Sequence, residues 1–243
     1  VTRPEPSPAG TPAPSRRDAA RRDNGGIRRV EILVGNVGYL DIRAFWRPEE
    51  SDREIAAAMQ LLANADGLIV DVRENGGGSP DSVAHLASYL FDGADVPLYE
   101  IVPRSGPTVR YATRAVAAHD GRRPVYVLTS TRSFSAGEGF AFLLQDRGRA
   151  EVIGEPTAGA ANPGRPYPIN ALFEIVIPNG TLRTIPSGRN WEGAGVRPDV
   201  PTTATEAARV AHERALRRLL IAASTPAERQ RLETALAGPL GLR

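Results

Sequence analysis

The sequence contains no cysteine and no lysine, so its 30 non-histidine basic residues are all arginine. Without lysine there is no lysine Schiff base, no phosphate-binding lysine of the P-loop kind and no serine–lysine dyad. Without cysteine there are no disulfides, thiol nucleophiles or thiolate metal sites, and nothing from which to read a redox compartment. Histidine occurs only as His85, His119 and His212. A proton acceptor near neutral pH is therefore one of these imidazoles or a carboxylate with a raised pKa. The longest apolar runs, such as Leu219-Leu220-Ile221-Ala222-Ala223, are far too short to span a bilayer, and the N-terminal residues carry no signal-peptide core.

What is present suits one large domain or two small ones: 243 residues, 41% of them apolar, with a formal charge of +2. Near-neutral charge gives little support for nucleic-acid binding, and no nucleic acid, cofactor or metal ion is expected. Residues 1–25 read as a linker rich in proline and arginine. Proline there blocks helix and ladder pairing, and Arg16 to Arg22 read as a solvated approach to the first strand. Residues 26–204 read as an α/β core, and residues 205–243 as C-terminal helices packed on it.

Within the core, Val30–Val34 and Val37–Phe45 are expected strands, and Pro48 opens a helix to about Ala63. The apolar runs Gly67–Val72 and Pro124–Leu128 have the character of buried parallel strands. Pro80–Phe91 and Ser135–Leu144 follow as helices. Val152–Ile153, Phe173–Ile177 and Thr181–Arg183 are further strands, and Thr205–Ile221 and Pro226–Ala237 are the terminal helices.

Two strand-to-helix junctions carry the chemistry. In Asp71-Val-Arg-Glu-Asn-Gly-Gly-Gly-Ser-Pro80, three glycines permit positive φ and let backbone N–H groups face open space, as in half of an oxyanion hole. By itself it reads equally as a tight turn. In Ser133-Phe-Ser-Ala-Gly-Glu138, Ser135 stands where a strand-to-helix turn exposes a hydroxyl at the positive end of a helix. Ser135-x-x-Glu138 is also a capping box, which is the reading that spacing alone favours.

Taken together in order, these segments resemble the C-terminal-processing (tail-specific) serine peptidases, most closely the branch similar to interphotoreceptor retinoid-binding protein. The matching stretches are Gly35–Leu40, Asp71–Gly78, Pro124–Ser130, Ser133–Glu138, Gly154–Gly159 and Asn190–Asp199, within roughly residues 26–215. The resemblance implies a ClpP/crotonase-like core of layered β-β-α units and a polypeptide substrate. It also implies an exported, periplasmic or extracellular location. By position it makes Ser135 the nucleophile, and it assigns the oxyanion hole to the N–H of Ala136 with that of Gly77 or Gly78. It makes Glu192 a candidate orienting or polarising group, with a structural loop carboxylate as the other reading.

The base is where this chain departs from the family. Ala160 occupies the position of the family lysine, and Asn162 stands where many relatives have histidine. Gly38–Arg43 holds Asp41 but no histidine. His85 reads as a partly exposed helix residue or one facing the pocket, His119 as a loop tip, and His212 as a packing residue. Two functions thus remain open: a serine peptidase acting through an acyl-enzyme on Ser135, and a binding module for an apolar ligand or a peptide terminus. A crotonase-type acyl-CoA enzyme has only fold analogy behind it.

Overall fold

A computed structural model describes residues 15–117 and 120–240. The first half of the chain runs α1 (Arg16–Arg22), β1 (Ile27–Leu33), β2 (Val37–Ile42), α2 (Pro48–Leu61), β3 (Gly67–Asp71), α3 (Pro80–Ser88), β4 (Pro97–Pro103), β5 (Val109–Ala112) and β6 (Val125–Thr129). The second half runs α4 (Ala136–Asp146), β7 (Glu151–Gly154), β8 (Gly164–Pro168), β9 (Glu174–Pro178), β10 (Gly180–Thr184), β11 (Val200–Pro201), α5 (Ala204–Ala222) and α6 (Pro226–Ala237).

A six-stranded sheet in the order β1-β2-β3-β6-β7-β11 forms the centre. The hairpin β1–β2 is antiparallel, and every later pairing in this sheet is parallel. The continuous apolar runs of β3 and β6 are explained by burial on both faces, because successive side chains point to opposite sides of a strand. Leu40, Ile42, Leu68, Val70, Val125 and Val127 join the core formed with α2, α3 and α4. Their neighbours Tyr39, Ile69, Tyr126 and Leu128 join a second core with α5 and α6. The parallel order, with crossover helices between strands, gathers the C-terminal ends of β3 and β6 side by side, each leading directly into a helix.

Several elements differ from expectation. The strand expected to reach Phe45 ends at Ile42, and Phe45 keeps only a single bridge to Gly78. Arg16–Arg22, read as a solvated approach, is helical; Ser15 caps it and its buried Ala20 anchors it, while its four arginines are exposed. The antiparallel pairs β4–β5 and β8–β9 were not anticipated in full, because prolines at 97, 103, 166, 168 and 178 disguise them. Proline is tolerated at strand ends and on edge strands, where no ladder N–H is required. A small sheet in the order β10-β4-β5 lies beside the central one.

The reading of His85 as partly exposed is corrected, and that of His212 as a packing residue holds. His85 is buried, with its Nδ1 2.7 Å from Asp52 Oδ1 on α2, and Asp52 also pairs with Arg114 at 2.6 Å. His212 is fully buried on α5 with Nε2 2.9 Å from the Val34 carbonyl. His119 lies outside the described residues.

Leu216 on α5 is fully buried and seals the second face of the sheet. Leu216→Ala is expected to lower unfolding stability by about 2–5 kcal/mol in urea denaturation. An unchanged midpoint and slope would show that α5 does not cover that face. Burial also depresses the pKa of both His85 and His212. Between the unfolded value of about 6.5 and the lower folded value, the unfolded chain binds the extra protons. These histidines therefore contribute stability that is present above about pH 6.5 and lost as the pH falls below it. His212→Gln is expected to flatten that part of the stability–pH curve, measured by urea unfolding at successive pH values.

Candidate active site

The site is built where the turn after β3 meets the turn after β6. Asn75, fully buried between them, contacts both. Its Oδ1 accepts the Gly77 N–H at 2.8 Å, and its Nδ2 donates to the Ile42 carbonyl at 2.9 Å. Its backbone carbonyl accepts the Phe134 N–H at 2.9 Å. Two serines fasten the second turn to the first. Ser133 Oγ donates to the Val72 carbonyl at 2.7 Å, and Ser130 Oγ donates to the Arg73 carbonyl at 2.6 Å.

Close approach explains the glycines. Gly77 has φ 96°, and a Cβ there would lie 2.8 Å from the Cβ of Ser135. Gly78 has φ 135°, and a Cβ there would lie 1.9 Å from the Phe45 carbonyl oxygen. That oxygen accepts the Ser79 N–H at 2.6 Å, while the Phe45 N–H donates to the Gly77 carbonyl at 2.8 Å. A side chain at Gly77 would push the two turns apart, and one at Gly78 would drive the glycine turn away from the Phe45 backbone.

Ser135 itself has φ 50° and ψ −116°. For a residue with a Cβ this is a strained conformation, of a kind that concentrates at functional turns. Glu138, fully buried one turn into α4, holds the serine there. Its Oε2 accepts the Ser135 N–H at 2.7 Å and the Ala160 N–H at 3.0 Å. Its Oε1 accepts the Thr157 hydroxyl at 2.5 Å and the Gly159 N–H at 2.6 Å. Four donors thus compensate the buried carboxylate. Ser135 and Glu138 stand in capping-box relation, yet the Ser135 hydroxyl makes no capping hydrogen bond. The pair is the capping box that spacing favours, and its firm arm is the Ser135 N–H to Glu138.

Ser135 lines a cavity of about 220 Å³ together with Ala136 and Gly78. Its walls are mainly apolar, with Val83, Ile101, Leu182 and Trp191 among them. Tyr99 also lines it, with its hydroxyl bound to the Pro80 carbonyl at 2.5 Å and its pKa pushed far up by burial. The Ala136 and Gly78 N–H groups make no hydrogen bond to any described residue. Both belong to residues that line the cavity beside the serine, and Ala136 begins α4, where orphan N–H groups and the helix dipole favour negative charge.

Of the residues expected from sequence, Ser135, Ala136 and Gly78 meet at this cavity. Gly77 is adjacent, and its N–H is engaged by Asn75, whereas that of Gly78 has no partner among the described residues. Glu192 is exposed and does not line the cavity; its Oε2 accepts the N–H groups of Ala161 and Asn162, both at 2.8 Å. Its place is therefore to hold the loop after Ala160. Asp41 is paired with Arg43 through two hydrogen bonds of 2.7 and 2.8 Å, and like His85 it is absent from the cavity wall. Among the described residues, no carboxylate, imidazole or guanidinium lines the cavity.

Asn75 was not singled out in the sequence, since nothing local distinguishes a buried asparagine from a turn asparagine. Asn75→Ala leaves the Gly77 N–H and the Ile42 carbonyl without their partner. It is expected to cost about 2 kcal/mol or more in chemical denaturation. A loss within about 0.5 kcal/mol, the range of surface substitutions, would contradict this placement.

Comparison with known proteins agrees with this geometry. The model of Peptidase family S41 matches residues 36–202. The carboxy-terminal processing protease CtpB of Bacillus subtilis is 30% identical over 154 residues, covering 60% of this chain and 31% of the relative. The carboxyl-terminal-processing protease of Synechocystis is 30% identical over 171 residues, covering 68% of this chain and 37% of the relative. The chain thus spans about a third of the length of these curated relatives. Among solved structures, a photosystem II D1 C-terminal processing protease superposes with a TM-score of 0.57 at 25% identity, over 70% of this chain and 43% of that one. A lipoprotein from Streptococcus agalactiae shares the fold at TM-score 0.60 and 17% identity, over 83% of this chain and 74% of that one. The architecture is the ClpP/crotonase-like α/β fold expected from the sequence. Since the family match runs from β2 through both turns and the Ser135 junction to β11, the chain belongs to Peptidase family S41.

Proposed function

We propose that this chain carries the nucleophile and oxyanion site of a serine peptidase that cleaves polypeptides through an acyl-enzyme on Ser135. One observation carries the reading. Ser135, with its strained backbone, shares a cavity with two residues, Gly78 and Ala136, whose N–H groups have no partner among the described residues.

In the reaction, Ser135 Oγ attacks the scissile carbonyl carbon and gives up its proton to solvent water. The C–N bond then breaks, and the leaving amine takes a proton from water. The carbonyl oxygen gains negative charge, and the Gly78 and Ala136 N–H groups are the donors for it, reinforced by the N-terminal end of α4. Such donors act chiefly on the transition state, because they are already oriented and need no reorganisation. The apolar wall formed by Val83, Ile101 and Leu182 suits an uncharged side chain next to the scissile bond. Glu138 and Glu192 act as positioning residues for the 157–162 loop that borders this cavity.

The described residues supply no base at the cavity. A serine with oxyanion donors and no base keeps roughly 10³–10⁴-fold acceleration over water, so slow turnover is the expected behaviour of this unit alone. Family membership favours hydrolysis over the binding module that a serine without a base also allows. An exported location is part of the same proposal and rests on the family resemblance. Among the described residues, no helix is long and apolar enough to cross a membrane.

A fluorophosphonate probe tests the reading. Labelling is expected on the peptide containing Ser135, located by mass spectrometry, and absent from Ser135→Ala. Undiminished labelling of Ser135→Ala would overturn it.

A further inference from the structure

The hairpin β8–β9 is the least covered part of the molecule, and its register sorts its residues sharply. Arg165 pairs with Ile177, Pro166 with Val176, Tyr167 with Ile175 and Pro168 with Glu174. The Asn179 N–H donates to the Pro163 carbonyl at 2.9 Å, which places 163–179 at a hydrogen-bonded position of the ladder. Antiparallel pairs alternate between bonded and non-bonded, so 167–175 and 165–177 are bonded as well. Paired residues share a face. Arg165, Tyr167, Ile175 and Ile177 therefore share one face, on which Tyr167, Ile175 and Ile177 form an apolar stretch with relative exposures of 46, 48 and 42%. A contiguous apolar face left open to solvent marks an interaction site.

The two edges of the hairpin are unlike. The outward main-chain positions of β8 include Pro166 and Pro168, which have no N–H to offer another strand. Those of β9 are Glu174, Val176 and Pro178, and the N–H groups of Glu174 and Val176 make no hydrogen bond to any described residue. The β9 edge thus offers two successive outward donors, whereas β8 offers only that of Gly164.

Both ends of the hairpin lead to the Ser135 cavity. Pro163 and Gly164 at the start of β8 line that cavity, as do Leu182 and Thr184 of β10, which follows β9 after one residue. The root is fastened by the Asn179 N–H to the Pro163 carbonyl at 2.9 Å and by the Arg104 N–H to the Asn179 carbonyl at 2.8 Å. We infer that the hairpin is a docking arm for the polypeptide substrate. An extended, unfolded segment adds as a third strand on the β9 edge, and its apolar side chains pack on the Tyr167–Ile175–Ile177 face. This rests on the proposed peptidase reading and extends it to the recognition of unfolded chain. Continuity with the cavity selects substrate over a second copy of this chain, since a dimer contact has no need to begin at the serine. Main-chain pairing supplies affinity with little demand on sequence.

The test uses the full chain carrying Ser135→Ala, so that nothing is cleaved, and a fluorescein-labelled, reduced and carboxymethylated α-lactalbumin as the unfolded probe. Anisotropy titration is expected to show saturable binding. Val176→Pro, which removes one edge donor, and Ile175→Asp, which charges the apolar face, are each expected to weaken it by about tenfold or more. Leu61→Asp, at an exposed apolar residue on α2, is expected to leave it unchanged. Circular dichroism and sedimentation velocity on each variant establish that the core and the oligomeric state are intact. Affinity unchanged in both hairpin variants would overturn the inference. So would a parent self-association that the hairpin variants abolish while polypeptide affinity stays the same, which would assign the face to a second copy. If the hairpin variants lose polypeptide affinity but the Ser135 protein takes no fluorophosphonate label, docking stands and the peptidase reading falls.

Discussion

The buried Asn75 side chain is the constraint on which the site depends. It satisfies the Gly77 N–H and the Ile42 carbonyl at once, while its own backbone receives the Phe134 N–H. Those bonds lock the glycine turn after β3 against the serine turn after β6. Removing a partner from such a buried network strands the remaining groups away from water, so the network behaves as a unit. Glu138 performs the matching task on the other side. Its four donors tie the Ser135 backbone to the 157–160 loop, including the backbone of Ala160, which occupies the position of the family lysine.

These two polar hubs can work only because the sheet brings them together. β3 and β6 are parallel neighbours with both faces buried, so their C-terminal ends emerge side by side and each enters a helix. Backbone N–H groups at the start of α4 then point at the space beside the glycine turn. The cavity walls come from elsewhere: β4 and β10 of the small sheet, with Trp191 from the loop before β11. The Ser135 turn is thus held by the centre of the fold, whereas the β8–β9 hairpin that leaves the cavity is exposed along its length.

Much of this was legible in the residues. Gly67–Val72 and Pro124–Leu128 are apolar runs bounded by turn residues, and they became β3 and β6 nearly as read. The terminal helix Pro226–Ala237 has the boundaries expected of it, because Thr225, Pro226 and Glu228 mark its start unambiguously. Ser135, Ala136 and Gly78 were identified through the two junction motifs and the resemblance they support. The hairpin strand β8 was not, since Gly164-Arg-Pro-Tyr-Pro168 carries two prolines that signal a loop unless the edge they face is known. Glu192 and His85 show the other limit. A carboxylate or imidazole in the right part of a motif can spend its bonds on a neighbouring loop or helix, and only the fold shows which. Asn75 lies beyond sequence reading for the same reason: its importance is a matter of burial.

The account's central claim is that Asn75 and Glu138 hold Ser135 beside an oxyanion site made by the Gly78 and Ala136 N–H groups. A crystal structure of the protein bound to a peptidyl boronic acid tests it most directly. The account predicts a covalent bond from Ser135 Oγ to boron, with one boronate oxygen about 2.7–3.1 Å from both N–H groups. A boronate bonded to another residue, or one whose oxygens point away from Gly78 and Ala136, would contradict it.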